Sequence, residues 1–310
     1  MSEGRREVHV EGLPAWMGPA QCRRLLGPSS AADLGGDAWV FDAGGARASC
    51  TSRAAADVAA RLRGLVLEGE PLSVSVAPKL NRSAVRAART EDARRRRDTT
   101  PGFSRRGARL DEEGRWSLTP EVLAKRMARW AAAQGVEAVI DAGCGAGGNA
   151  IAFARAGLEV VAVEADAGRL AMARHNAGIY GVADALRLVH GDAVADLPTL
   201  LDELGPARTL VFFDPPWGGD DSKQRTEVGD FPLLAAALPR VRALGCAGAW
   251  AKLPPGVRSS TFEAAWGEAV HPRAVFGEAA GDRRRIKFVL ISTLPWVALR
   301  SGPRSSSSTR

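Results

Sequence analysis

Lysine, tyrosine and paired cysteine are what this sequence has least of. Its 310 residues include one tyrosine and five lysines, so arginine supplies nearly all of the basic charge. The four cysteines, Cys22, Cys50, Cys144 and Cys246, lie far apart and form no CxxC pair. That spacing argues against a zinc site and against a disulfide framework, and points to reduced thiols inside a cell. The first ten residues, MSEGRREVHV, lack the apolar core of a signal peptide, and no apolar run approaches membrane-spanning length. An intracellular protein is therefore expected, nuclear if the source is eukaryotic and cytoplasmic otherwise, with no membrane contact and no metal. There is no internal repeat. A monomer is the expectation.

What is present is ordinary globular material, 45% hydrophobic and 25% charged, enough for one large domain or two smaller ones. The net charge of +7 is concentrated. Ten arginines against Glu91, Asp92 and Asp98 lie between Arg82 and Arg109 and account for the whole excess. Such a segment suits a polyanion, most simply RNA. A solvated linker, or an import signal around ARRRRD, would read the same way. The sequence divides into an α+β region at 1–80, an arginine-rich linker at 81–109, a larger α/β region at 110–300 and a low-complexity tail at 301–310 that is expected to be disordered.

In the larger region, six apolar runs alternate with helical stretches. The runs include EAVIDAGCG, LEVVAVEAD, LRLVHGD and ARTLVFFDPPWGG. This alternation predicts a mostly parallel sheet with helices on both faces, and such sheets bind ligands beyond the carboxyl ends of their strands. The chemically distinctive residues fall at those ends. DAGCGAGGN places Asp141, Gly143, Gly145, Gly147 and Asn149 in a turn that lets backbone approach a ligand. Glu164 ends the second strand, where a carboxylate can accept ribose hydroxyls. Asp192 follows the third, where it can accept from an adenine amine. Three acids disfavour a pyrophosphate and suit a nucleoside joined to a cationic amino acid, as in S-adenosyl-L-methionine. A redox dinucleotide domain or an empty pocket is the alternative.

The fourth run ends in Asp214-Pro215-Pro216-Trp217, followed by Gly218 and Gly219. Prolines have no N–H, so this turn offers carbonyl oxygens and a carboxylate without competing donors. An exocyclic amine, which donates two protons, fits such an acceptor pocket. Positioning for in-line displacement would then do most of the chemistry, with Trp217 as a stacking face for a base. The plain reading is a stiff turn beside a core tryptophan. The tetrad marks amino-group methyltransferases without separating adenine, guanine and glutamine amides.

GRWSLTPEVLAKRMA, VIDAGCGAGGNAIAFA, ARHNAGIYGVAD and DPPWGG together resemble the trimethylguanosine synthase family, RNA cap guanine-N2 methyltransferases of the class I S-adenosylmethionine-dependent fold. GFSRRGARLDEEG resembles the segment preceding that catalytic domain, so the likeness runs from about Phe103 to Leu294. The resemblance implies a Rossmann-like methyltransferase domain that methylates the N2 amine of a 7-methylguanosine cap. Trp217 would stack on the base, and Pro215 with Pro216 would bracket its amine. Phe103, Trp116, Ser117, Thr119 and Pro120 would close the cofactor and substrate pocket, and Arg105 or Arg106 would meet cap phosphates. Read alone, Thr119 and Pro120 look like the N-cap and first turn of a helix. One departure from the animal enzymes is Asp214, where they have serine. It leaves open an internal tRNA or rRNA guanine, or an adenine, as the target. A non-enzymatic RNA-binding protein on a retained scaffold is a further alternative.

Residues 1–80 follow a β-α-β-β-α-β order, which predicts a ferredoxin-like or degenerate RNA-recognition-like domain. His9 stands at one stacking position. The third-strand segment GGARASCT lacks the usual aromatics, so base stacking there is weakly supported. Arg283 to Arg285, in GDRRRIKF, read as a solvated turn or a second phosphate contact.

Overall fold

The computed structural model describes residues 5–27, 39–217 and 225–299. Gly218, Gly219 and the tail at 301–310 lie outside the described residues.

The N-terminal lobe is built from β1 (Arg6–Glu11), α1 (Pro19–Leu26), β2 (Val40–Asp42), β3 (Gly45–Cys50), α2 (Ser52–Leu62), a short hairpin of β4 (Val66–Leu67) and β5 (Glu70–Pro71), and β6 (Ser73–Ala77). The four main strands pair antiparallel in the order β2-β3-β1-β6, the ferredoxin-like order expected from the sequence. The period-2 pattern of β1 explains its two faces. Val8 and Val10 are buried, while His9 is exposed opposite Arg47 and Ser75. The Thr51 hydroxyl accepts from the Ala54 N–H at 3.2 Å and caps α2. Ala55, Val58 and Leu62 on that helix then pack beneath the sheet.

Part of the arginine-rich segment is helical. Residues Arg82–Arg95 form α3, capped by Asn81, whose Oδ1 accepts from the Ala84 N–H at 2.7 Å. This helix lies against α2, and its Arg95 pairs with Asp57 at 2.9 Å. Asp92 is buried and pairs with Arg96 at 3.1 Å and with Arg285 of the larger lobe.

The larger lobe contains α4 (Glu112–Ser117), α5 (Glu121–Ala133), β7 (Ala138–Ala142), α6 (Gly148–Arg155), β8 (Glu159–Glu164), α7 (Ala167–Tyr180), β9 (Leu186–His190), α8 (Ala193–Leu204), β10 (Thr209–Phe213), α9 (Pro232–Ala243), β11 (Gly248–Leu253), α10 (Ser259–Trp266), β12 (His271–Phe276) and β13 (Ile286–Ser292). Its sheet runs β12-β13-β11-β10-β7-β8-β9. The five strands from β11 to β9 are parallel, and β13 is antiparallel to both neighbours. Parallel strands covered on both faces need apolar residues throughout, and every residue of β7 and β10 is buried. In β10, Leu210 and Phe212 face the layer of α5 and α6, while Val211 and Phe213 face that of α8 and α9. The seventh strand, β12, has no counterpart among the six apolar runs read from the sequence. It begins His271-Pro272-Arg273, and Pro272 is tolerated there because β12 is an edge strand.

The lobes share a core. Ala274 and Phe276 of β12, with Ile286 of β13, pack into the apolar cluster of the N-terminal lobe. Polar contacts reinforce this join. The Gln21 side chain accepts from the Ala274 N–H at 2.9 Å, and Arg24 donates to the carbonyls of Gly277 and Arg283 at 2.8 and 3.0 Å. Glu68, at φ 52, accepts from Trp16 at 2.6 Å and from the Ser259 N–H at 2.7 Å.

At Gly281 the β12–β13 turn meets the end of α3 so closely that a Cβ would fall far inside contact with the Arg95 and Asp98 carbonyl oxygens. These are backbone atoms and cannot swing away. Gly281→Ala is expected to lower unfolding stability by about 1–3 kcal/mol, read from urea denaturation. An unchanged midpoint would mean that the lobes are not held at this distance.

Candidate active site

The carboxyl ends of β7, β8 and β10 enclose a cleft of about 230 Å³. Gly143 and Gly145 form its floor at φ 89 and 55. Both would have their Cβ in open or merely adjacent space, so the gap they leave belongs to the cleft and not to a neighbouring side chain. Glu164 turns in from β8. Its Oε2 accepts from the Gly145 N–H at 2.8 Å and its Oε1 from the Asp166 N–H at 3.0 Å. Each carboxylate oxygen keeps a lone pair for a further donor. Asp192 is not in the lining of the cleft. Its Oδ1 caps α8, accepting from the Val194 and Ala195 N–H groups at 2.8 and 3.1 Å.

Asp141 is fully buried, and neither of its carboxylate oxygens closes a hydrogen bond. Burial pushes its carboxyl well above the ordinary range, with Asp214 and Glu164 adding like-charge repulsion; the nearby Ala150 N–H opposes this too weakly to offset it. Orphaned buried carboxylates are rare in folded proteins. Asp141 lies beneath the glycine turn and is not in the lining of the cleft, so its unpartnered acid sits behind the wall and not in the open space.

Asp214 is the hub. Its Oδ2 accepts from Lys252 Nζ at 2.8 Å, from Asn149 Nδ2 at 3.0 Å and from Thr119 Oγ1 at 3.5 Å. The Lys252 side chain, only 3% exposed, also donates to the Ser117 carbonyl at 2.9 Å and lies 5.6 Å from the centre of the Trp217 ring. Thr119 therefore faces Asp214 and does not cap α5, whose N-cap position is taken by Pro120. Lys252 was not singled out in the sequence. It sits at the end of β11 within AGAWAKL, a run that reads as a buried strand. Its placement beside the end of β10, in a chain with five lysines, is the signal that could have found it.

A second cavity, of about 870 Å³, adjoins the first. The two share Glu113, Ser117, Pro215, Pro216 and Leu233 as a common wall. The larger one is also lined by Phe231 and Pro232, with Arg225 and Asp230 at its polar side. Trp116 lines it too and is 84% exposed, the most exposed large apolar side chain among the described residues. Trp217 is placed otherwise. It is half-buried and packs against the apolar layers on both faces of the sheet. The Pro216 carbonyl is already engaged, accepting from Arg225 at 2.7 Å.

The segment before α4 wraps the cleft. Phe103 rests on Tyr180, with ring centres 5.5 Å apart. Arg105 lies 5.0 Å over the same ring and donates to the Ile179 carbonyl at 2.6 Å, so its charge is used inside the fold. Arg106 is exposed. Asn176 is fully buried and donates to the carbonyls of Arg109 and Ala146, both at 2.9 Å, which joins this wrap to the glycine turn. Among the described residues there is no metal-binding cluster of His, Cys, Asp or Glu. No helix among them is long and apolar enough to cross a membrane.

The strand order and the single antiparallel strand β13 are those of the class I S-adenosylmethionine-dependent methyltransferase fold. Residues 136–233, which include both the glycine turn and DPPW, match the family model for RNA cap guanine-N2 methyltransferase. The chain is 38% identical over 129 residues to trimethylguanosine synthase of Schizosaccharomyces pombe, covering 40% of this chain and 53% of that protein. It is 37% identical over 101 residues to an uncharacterized RNA methyltransferase of Gloeobacter violaceus, covering 33% of this chain and 21% of that protein. It thus spans about half the length of the first relative and a fifth of the second. Among solved structures, a SAM-dependent methyltransferase from Agrobacterium tumefaciens aligns with a TM-score of 0.40 at 16% identity, over 57% of this chain and 62% of that one. The O-methyltransferase TomG from Streptomyces achromogenes, in complex with SAM, aligns at 0.38 and 16%, over 60% and 91%.

Two predictions follow from the buried charges. Lys252→Ala strands the Asp214 carboxylate and is expected to cost about 3–5 kcal/mol. Adding Asp214→Asn should recover part of that loss in chemical denaturation, and equal stability of the single and double variants would argue against the pairing. For Asp141, a raised pKa in the folded state means a contribution complete below the ordinary carboxylate range and lost as pH rises through the folded value. Ligand-free Asp141→Asn should therefore show a flatter fall of Tm with rising pH than the parent.

Proposed function

We propose that this protein is an S-adenosylmethionine-dependent RNA methyltransferase that acts on the exocyclic N2 amine of guanosine, the 7-methylguanosine cap being its favoured substrate. The observation that carries this reading is the shared wall of the two cavities. A cleft edged by acids, Asp214 among them, and a larger cavity with an exposed indole meet at Pro215-Pro216. Group transfer needs such a junction between a donor site and an acceptor site.

S-adenosylmethionine would supply the electrophilic methyl group. The residues suited to hold it are Asp141, Gly143, Gly145, Gly147, Asn149 and Glu164, with Thr119 and Pro120 closing the side. The unpartnered Asp141 carboxylate, behind the wall of the cleft, suits its cationic part. Asp192 supports this less directly, because one of its oxygens already caps α8.

On the acceptor side, three donors on Asp214 Oδ2 fix the plane of the carboxylate. Its Oδ1 accepts nothing from the described residues and is free to take an N–H of the base amine. The Pro215 carbonyl is a second acceptor, whereas the Pro216 carbonyl is held by Arg225. Trp116 offers an open face for the base. A methylated guanine carries positive charge, which strengthens its attraction to an indole. Trp217 would back the site from the core, and Arg225 stands at the mouth in reach of cap phosphates, a role Arg105 is poorly placed to fill. RNA is then the partner, and the compartment follows the RNA, the nucleus in a eukaryote.

The test is methyl transfer from labelled S-adenosylmethionine to 7-methyl-GTP, GTP and total RNA. Transfer to 7-methyl-GTP is the expected result. Transfer to RNA alone would redirect the reading to an internal base, and no cofactor binding would leave an RNA-binding scaffold. Trp116→Ala should lower kcat/KM on 7-methyl-GTP by roughly 10- to 100-fold, the worth of one base–aromatic stack, with Tm unchanged because the side chain is exposed. Trp217→Ala should lower both activity and Tm.

A further inference from the structure

Seven arginines converge on a cavity of about 670 Å³ that the catalytic reading does not use. Arg53, Arg61, Arg94 and Arg95 come from α2 and α3, and the run Arg283–Arg285 comes from the β12–β13 turn of the other lobe. Only Asp57, Asp92 and Asp98 oppose them within the cavity. Glu91, just outside, pairs with Arg94 and Arg95. Three positive charges remain in excess.

The most buried member shows how forced the arrangement is. Arg61 is 9% exposed and donates to the carbonyls of Leu25 and Leu26. Its Nε makes no hydrogen bond, and Asp57 Oδ2 stands 3.6 Å away. The Arg284 guanidinium lies beside it, both reaching the Cβ direction of Gly27. Burial lowers the Arg61 pKa to about 10, with Asp57 opposing the shift and Arg284 and Arg285 adding to it. A cluster of like charges in a low-dielectric seam is stabilised by an anion.

The position in the sheet says which anion. Strand β12 is parallel to β11, because both are antiparallel to β13. The β12–β13 turn therefore emerges at the same edge of the sheet as Asp214 and Lys252. Strands β10, β11, β13 and β12 are consecutive neighbours, so Asp214 and the turn are three strand spacings apart, about 14 Å along that edge. A polyanion anchored by one end at the catalytic cleft would reach the arginines within a few of its units.

We infer that the seam between the lobes is a binding site for the phosphodiester backbone of the RNA body, separate from the site for the methylated base. The inference rests on the RNA-methyltransferase reading, but its test does not. Arg53 and Arg283 are exposed and form no ion pair with the described residues. The double variant Arg53→Glu/Arg283→Glu therefore leaves the internal pairs intact.

With the whole 310-residue chain, the dissociation constant of a capped RNA ~20-mer is measured across a salt series for the parent and the variant, alongside Tm and methyl transfer to 7-methyl-GTP. The expected result is RNA binding weakened by about tenfold or more, a salt slope shallower by about 1.4 (roughly 0.7 for each lost single-strand phosphate contact), and unchanged Tm and transfer to 7-methyl-GTP. Arg53→Lys/Arg283→Lys should bind RNA like the parent. An unchanged dissociation constant and slope would overturn the inference, as would a lower Tm with RNA binding intact, which would make the arginines a structural tie. If the parent transfers no methyl group yet the variant loses RNA affinity, the seam stands and the catalytic reading falls.

Discussion

The ion pair between Asp214 and Lys252 organises the larger lobe. Asn149 from the start of α6, Thr119 from the segment before α5 and Lys252 from β11 all converge on one oxygen of one carboxylate. A buried carboxylate held by several donors is rigid, and removing any donor unbalances the others. Here rigidity has a chemical use. Three donors crowd on Oδ2, and the other oxygen accepts nothing from the described residues. The same lysine reaches Ser117, and so fixes the end of the helix that carries the exposed Trp116. Charge balance, the helix after the glycine turn and the exposed indole are thus tied to one network. It also gives a physical account of aspartate at this position, since the negative charge has its cation within the fold.

Much of this was legible in the sequence because backbone needs special residues at special places. Glycines at 143 and 145 and prolines at 215 and 216 can be read without coordinates, since other residues would not make the same turns. The parallel sheet was legible for a similar reason: strands covered on both faces must be apolar throughout. The contents of the site were harder to read. Lys252 looks like an interruption in an apolar strand until the neighbouring strand is known. Thr119 carries a capping signature, yet its hydroxyl turns to Asp214, because Pro120 already fixes the entry to α5. Asp192 was read for its place at a strand end, and the local need of α8 for a cap engages it. Trp116 and Trp217 were both legible as candidates, but their difference in exposure was not.

Residues 81–109 show the same limit from another side. A run of arginines with few large apolar residues reads as solvent-loving, and α3 is indeed mostly exposed. What docks it is a polar contact set, Asp92 with Arg285 and Arg95 with Asp57, and no periodicity announces such pairs. Likewise β12 hides behind Pro272 and Arg273, because an edge strand that exchanges contacts with another lobe need not alternate cleanly.

The join between the lobes has a consequence for how such proteins can be assembled from parts. Ala274, Phe276 and Ile286 belong by sequence to the catalytic sheet but by packing to the neighbouring lobe. The boundary of the fold therefore does not coincide with the boundary of the chemistry. A recombined protein that joined this larger sheet to a different front lobe would inherit an apolar strand edge shaped for one particular partner. Exchange of the front lobe would succeed only with a replacement that brings its own cover for β12, so the two lobes are constrained to change together.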